Sequence, residues 1–254
     1  LEMLSYSIPL IPNSIMWWLI NSSTRYFILF FLGASANGIF AVANKLPTLI
    51  TMITSIFSQA WQLSAIEEFG NKDSKKFYSD VFHLYSSVLF LGASFLLLFV
   101  KQIVLLTVQS SYYQAWTLVP ALIFAVLYQS FSAFIGTNYT ASLKTKGVFV
   151  STLIGAGLSI VLNSILIPLF GVQGAGVGSA LSFFITWLYR MNDTKKFAPT
   201  YIIKSKFLLL NLFLLIQSVG LFITNQYLFY IFGLTMFFLQ ITLNLNFIKI
   251  ILTK

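Results

Sequence analysis

Eight apolar segments, each near or above the roughly 20 residues a helix needs to cross hydrocarbon, run through this chain. They lie at about 4–32, 38–66, 76–99, 113–142, 147–169, 174–191, 205–223 and 227–249. Nothing between them is long enough to fold as a separate domain outside a membrane. Inside lipid every backbone N–H and C=O must find a partner within the protein, so the spanning elements are helices or a closed barrel. No long alternating apolar/polar segments suggest a barrel. The expected class is therefore an all-α integral membrane protein with eight transmembrane helices. Only 8% of residues are charged and mean hydropathy is +0.87. A soluble domain keeps roughly a quarter of its residues charged. The 27 Phe and 12 Tyr fit lipid contact and interfacial belts. With no cysteine there is no disulfide framework and no thiolate chemistry.

The formal charge of +9 points to topology rather than to nucleic acid, because the cations cluster between the apolar runs. Eight crossings put both termini on one side. That side holds Lys72, Lys75, Lys76, Lys144, Lys146, Arg190, Lys195, Lys196, Lys204, Lys206, Lys249 and Lys254; the other holds Lys101 alone. Positive charge marks the cytoplasmic side, so both ends of this segment are expected there. The chain opens on Leu1 after no basic n-region, which reads as a cut N-terminus rather than a signal peptide. The longest polar connection, Arg190–Lys206 with Pro199, divides a six-helix lobe (1–191) from a linker (192–204) and a final helix pair (205–254). That pair is more evenly apolar and is expected at the lipid-facing periphery.

Two cations stand apart from the loops. Arg25 and Lys45 flank the turn Gly33-Ala34-Ser35-Ala36-Asn37-Gly38, each about ten residues from its centre, and so at one depth about 15 Å below it. A cation at a bilayer centre costs about 3 kcal/mol on insertion scales. Polar residues repeat with them at helical spacing: Ser14, Trp18, Asn21, Ser22 and Arg25 before the turn, and Lys45, Thr48, Met52, Ser55, Gln59 and Gln62 after it. The fourth segment adds Gln129, Ser132, Gly136 and Tyr139. Polar faces inside a membrane point at a bundle interior or a water-filled cavity; interhelical hydrogen bonding is the competing reading. Pro47 removes the helical partner of the Ala43 carbonyl beside Lys45. The run Gly174–Gly178 lacks the spacing of a phosphate-binding loop and reads as close helix packing.

Catalytic constellations are missing from the pattern. His83 is the single histidine and Glu67, Glu68, Asp73, Asp80 and Asp193 lie at or near helix ends. No metal cluster, cofactor or acid–base pair is expected, and the chain does not read as an enzyme. A polymerase or acyltransferase would carry a large outer loop, or His and acidic residues near one face.

Several motifs in order resemble a known family. They are Ile8-Pro9-Leu10-Ile11-Pro12-Asn13, Asn21-Ser22-Ser23-Thr24-Arg25-Tyr26-Phe27, Gly38-Ile39-Phe40-Ala41-Val42-Ala43-Asn44-Lys45, Lys144-Thr145-Lys146-Gly147 and Leu162–Gly176. Together they are similar to the second lobe of the polysaccharide (Wzx-type) flippases of the multidrug/oligosaccharidyl-lipid/polysaccharide exporter superfamily. The resemblance implies two six-helix lobes around a central cavity, this chain being the C-terminal lobe plus two extra helices, and an N-terminal lobe supplied elsewhere. It implies a multi-pass protein of the bacterial plasma membrane. The implied activity is transport of undecaprenyl-diphosphate-linked oligosaccharide between leaflets by alternating access. Where that family commonly carries Asp before the arginine, this chain has Thr24, which leaves Arg25 freer to meet an anion. The expected substrate-binding residues are Arg25, Lys45, Asn21, Ser55, Gln59 and Gln129. The expected partners are the bilayer, the lipid-linked oligosaccharide and the missing lobe, without nucleic acid. A drug or metabolite exporter of the same superfamily, or an inactive truncated product, are the alternative readings.

Overall fold

A computed structural model describes residues 10–252, with side chains over 22–245. Among these residues there are eight α-helices and no strand. In chain order they are α1 (Leu10–Ala43), α2 (Lys45–Glu67), α3 (Ser74–Thr107), α4 (Val119–Ala141), α5 (Thr145–Phe170), α6 (Val172–Thr194), α7 (Lys204–Gly220) and α8 (Gln226–Leu252). A 3-10 segment, Ser110–Thr117, joins α3 to α4. Described stretches of six of them, α1 to α5 and α8, are long and apolar enough to cross a membrane. The helix α7 has only 17 residues, and α6 is diluted by the Gly, Ser and Thr that face its neighbours. Turns alternate between two ends. One end gathers Gly33, the 3-10 segment, Gly171 and the α7–α8 link; Gln173 of α6 donates to Thr117 there at 3.0 Å. The opposite end gathers the α2–α3, α4–α5 and α6–α7 links, where Tyr78 donates to the Ala65 carbonyl at 2.6 Å.

Between helices in lipid there is little hydrophobic drive, because lipid tails are as apolar as leucine. Close packing and hydrogen bonds have to hold the bundle. The glycines of α6 supply the first. A Cβ on Gly174 would lie 2.0 Å from the Leu166 carbonyl oxygen of α5, one on Gly176 2.8 Å from Ala121 of α4, and one on Gly178 2.7 Å from Asn163 of α5. The reading of this run as a packing surface therefore stands. Aromatic rings fill the junction of α2, α3 and α4: Trp61 stacks on Phe134 at 4.3 Å and Phe57 on Tyr85 at 4.4 Å. Trp187 stacks on Phe207 at 5.1 Å and carries the contact on to α7.

Arg190 corrects the sequence reading. It is not a loop cation: it sits inside α6, 2% exposed. Its Nε donates to Ser151 Oγ (2.9 Å), Nη1 to the Ser132 carbonyl (2.8 Å) and Nη2 to Thr152 Oγ1 (2.9 Å). One side chain of α6 is thus bonded to both α4 and α5. Gly136 makes the room, since a Cβ there would come within 2.6 Å of Nη1. Tyr139, one turn on, donates to Asp193 at 2.9 Å. So Ser132, Gly136 and Tyr139 form an interhelical seam, and of that polar face Gln129 lines the cavities beside Arg25.

Two further expectations change. The helix α3 continues to Thr107, so Lys101 is helical rather than part of an outer segment, its ammonium over the rings of Trp116 (4.6 Å) and Phe229 (4.7 Å). The final pair is also less uniformly apolar than it reads. Gln217 of α7 exchanges hydrogen bonds with Ser94 of α3 (2.6 and 3.0 Å), and Tyr128 of α4 donates to Asn211 of α7 (2.6 Å).

Three substitutions test this packing of the bundle. Arg190→Met leaves the Ser132 carbonyl and two hydroxyls without their donor, at about 1–3 kcal/mol for each buried group left unmade. Thermal unfolding in detergent, followed by tryptophan fluorescence, is expected to show a clear loss of stability. Arg190→Lys is not expected to restore it, because a point charge cannot reproduce the three-way fork. Gly174→Ala should destabilise comparably, because the Leu166 backbone cannot move aside cheaply.

Candidate functional site

The site begins with one residue in a conformation that L side chains rarely adopt. Gly33 has φ 85° and ψ −179° and breaks α1 into two arms. In an unbroken helix Arg25 and Thr48 would stand about 35 Å apart. Here both line one cavity of about 370 Å³, so the arms fold back on each other. The first arm contributes Ser22, Thr24 and Arg25. The second arm and the start of α2 contribute Phe40, Asn44 and Thr48. The remaining walls are Leu122, Ala125, Val126 and Gln129 of α4, and Ser179 and Phe183 of α6.

The helix is interrupted again at Asn44, between α1 and α2. Pro47 has no N–H for the Ala43 carbonyl; the flanking rungs, Asn44 N–H to Phe40 and Thr48 N–H to Asn44, are kept at 3.1 Å each, and side chains add to them. Asn44 Nδ2 donates to the Phe40 carbonyl (3.1 Å) and Thr48 Oγ1 to the Asn44 carbonyl (2.7 Å). Thr24 is 3% exposed and accepts from Asn163 Nδ2 of α5 at 3.0 Å. The residue before the arginine thus fixes the first arm against α5, while Arg25 itself is exposed. A second cavity, of about 260 Å³, adjoins through Gln129, which lines both; Thr51, Thr54, Ser58, Tyr85, Ser130 and Ala133 complete it.

Of the residues expected from sequence, Arg25 and Gln129 are brought together in the larger cavity. Lys45 follows the lining residue Asn44 but is exposed and not part of the wall. Ser55 and Gln59 are exposed farther along α2, and the Ser55 hydroxyl donates to the Met52 carbonyl at 2.8 Å. The side chain of Asn21 lies outside the described residues. The polar face that enters the two cavities is Asn44, just before α2, with Thr48, Thr51, Thr54 and Ser58 of α2. The stripe from Lys45 through Met52, Ser55, Gln59 and Gln62 is exposed along its whole length. Sequence spacing found the helical period but set its phase by the cation, and Thr48 alone belongs to both faces. Asn44, Ser179 and Thr24 were missed. The signal near Asn44 was Pro47, three residues on, whose missing N–H marks a change in the helix at this level.

Chemically the larger cavity offers one guanidinium, two carboxamides and several hydroxyls, with no carboxylate in the wall. Such a surface suits an anion with hydroxyl-rich neighbours. Among the described residues no group of three or more His, Cys, Asp or Glu could hold a metal ion. His83 is buried on α3 and lines neither cavity.

No protein-family model matches the chain. An uncharacterized membrane protein of Methanocaldococcus jannaschii is 24% identical over 183 residues, which cover 68% of this chain and 36% of that relative. Among solved structures, the lipid II flippase MurJ in its inward closed conformation is similar with a TM-score of 0.69 and 17% identity, over 95% of this chain and 53% of that one. The fold is therefore that of about half the flippase chain. This chain likewise spans little more than a third of its archaeal relative.

The cavity walls can be checked by chemical labelling, because the described chain contains no cysteine. In a cysteine-free form of the intact protein, Gln129→Cys and Ser179→Cys are expected to react with a water-soluble thiol reagent. Ser132→Cys, at a fully buried position in the α4–α6 seam, is expected to stay unlabelled.

Proposed function

We propose that this chain forms one lobe of a membrane transporter that moves a lipid-linked, diphosphate-bearing oligosaccharide from one leaflet to the other. The observation that carries this reading is Arg25, exposed in a polar cavity free of carboxylates at a broken helical hairpin. The likeness of the fold to half of a lipid II flippase supports it. So does the sequence resemblance to polysaccharide flippases, which makes the expected carrier undecaprenyl diphosphate in a bacterial plasma membrane.

In this mechanism the guanidinium of Arg25 receives a phosphate oxygen pair through its planar fork. Gln129, Asn44, Thr48 and Ser179 supply donors and acceptors for sugar hydroxyls. Asn21, on the same helical arm, extends the polar surface. Lys45, Ser55 and Gln59 lie on the open side of α2 and would face the N-terminal lobe across the transport path, where Lys45 adds a point charge. The headgroup stays in the polar path while the polyprenyl tail stays in lipid. Rocking of the two lobes then exposes the cavity to each leaflet in turn. Eight crossings with both ends of this segment cytoplasmic follow from the charge asymmetry. Among side chains described at the two ends, Lys101 stands at the Gly33 end, and Lys72, Lys75, Lys76, Lys144, Lys146, Lys195, Lys196, Lys204 and Lys206 stand at the other.

The test uses the intact protein in a host lacking its own flippase. Arg25→Ala should lower surface polysaccharide roughly tenfold at unchanged protein level, the size of one lost charged contact. Arg25→Lys should recover only part of it, and Lys45→Ala should deepen the loss. Normal surface polysaccharide in the Arg25→Ala/Lys45→Ala double variant would overturn the proposal.

A further inference from the structure

The lysine-rich end holds a third cavity, of different character. It measures about 560 Å³ and lies at the α4–α5 turn, against the end of α6. Three lysines line it, Lys144, Lys146 and Lys196, with Asp193 as the one carboxylate. That carboxylate is already engaged: it accepts from the Tyr139 hydroxyl at 2.9 Å and lies 3.8 Å from Lys196. The wall therefore carries an excess of two positive charges.

The turn is built to hold them there. Leu143 takes a left-handed conformation, φ 59°, and the Lys144 N–H bonds back to the Tyr139 carbonyl at 2.8 Å. The chain reverses within three residues, so Lys144 and Lys146 flank Thr145, the first residue of α5. No side chain caps that helix start. Its N–H groups and dipole add to the positive potential of the lysines. The Lys144 ammonium is seated 4.0 Å over the ring of Phe197.

An apolar track leads away from the cavity. On α5, Lys146, Val150, Leu153, Gly157 and Ile160 recur at spacings of three and four, and all five are exposed. Leu143, at the rim, is 74% exposed. A ligand with an anionic head and an apolar body would match both parts, whereas a free anion would use the first only. Basic pockets between helices at the membrane surface suit lipid headgroups in this way.

We propose that this cavity binds the phosphate of an anionic membrane phospholipid, with its acyl chains along the exposed face of α5. The proposal requires only that α5 crosses a bilayer. It shares no lining residue with the Arg25 cavity, so it stands or falls apart from the transport reading.

The experiment takes the intact protein in nanodiscs of mixed phosphatidylcholine and phosphatidylglycerol, and counts retained lipids by native mass spectrometry after extraction into neutral detergent. The wild-type protein should retain phosphatidylglycerol in preference to phosphatidylcholine. Lys144→Gln/Lys146→Gln/Lys196→Gln should reduce that retention by at least about fivefold, the effect expected of a single surface lysine. A charge-matched control, Lys72→Gln/Lys76→Gln/Lys204→Gln, removes three lysines from the same end outside the cavity and should retain the lipid. Arginine at positions 144, 146 and 196 should restore binding. Equal retention of the two lipids overturns the proposal, as does equal loss in the cavity and control variants. Millimolar inorganic phosphate that raises the melting temperature of the wild type but not of the cavity variant, without a lipid preference, assigns the pocket to a free anion and overturns the lipid assignment.

Discussion

Three hydrogen bonds from one guanidinium hold the second half of this bundle in register. Arg190 reaches from α6 to a carbonyl of α4 and two hydroxyls of α5. In water such bonds would trade against hydration and be worth little. In a membrane the competing state is not hydrated, and the bundle has little hydrophobic drive of its own. Polar contacts between helices therefore set which helix lies where, and glycines set how close. Gly136 and Gly155 remove the side chains that would push α6 away from its partners. The cavity beside Arg25 depends on this arrangement, because α4 and α6 form its far walls and α5 positions its near one through Asn163 and Thr24.

Much of the fold is legible in the sequence, since spans of helical length and short turns leave few alternatives. The break at Gly33 shows as a small-residue turn between two apolar runs, and the interruption near Lys45 shows as Pro47. What fails is side-chain facing. Arg190 ends an apolar run beside Asp193, Lys195 and Lys196, and one-dimensional pattern reading assigns it to the interface with them. Its burial depends on Ser132, Ser151, Thr152 and Gly136, which lie 38 to 58 residues away. Lys101 is misplaced for a similar reason: Trp116 and Phe229 carry it as part of a helix end, and neither is local in sequence.

The phase of α2 is the subtler case. A shift of one residue turns a helical face by about 100°. Reading outward from Lys45 selects the exposed strip, while reading from Asn44 selects the wall of the two cavities. Both faces are polar, so amphipathicity alone does not choose between them. The exposed strip mixes Lys45, Ser55, Gln59 and Gln62 with Met52, a surface too polar for lipid and too apolar for open water. The fold match extends over 53% of the flippase chain.

The interruption at Asn44 has a mechanical consequence. Helix bending is resisted chiefly by the ladder of backbone hydrogen bonds, and Pro47 removes one rung at the level of the cavity. Asn44 and Thr48 bond to carbonyls of their own helix, so the stitching travels with the segments it joins. The missing rung makes this the level at which the cavity wall resists bending least, while the three bonds of Arg190 fix the frame of α4, α5 and α6 on its far side.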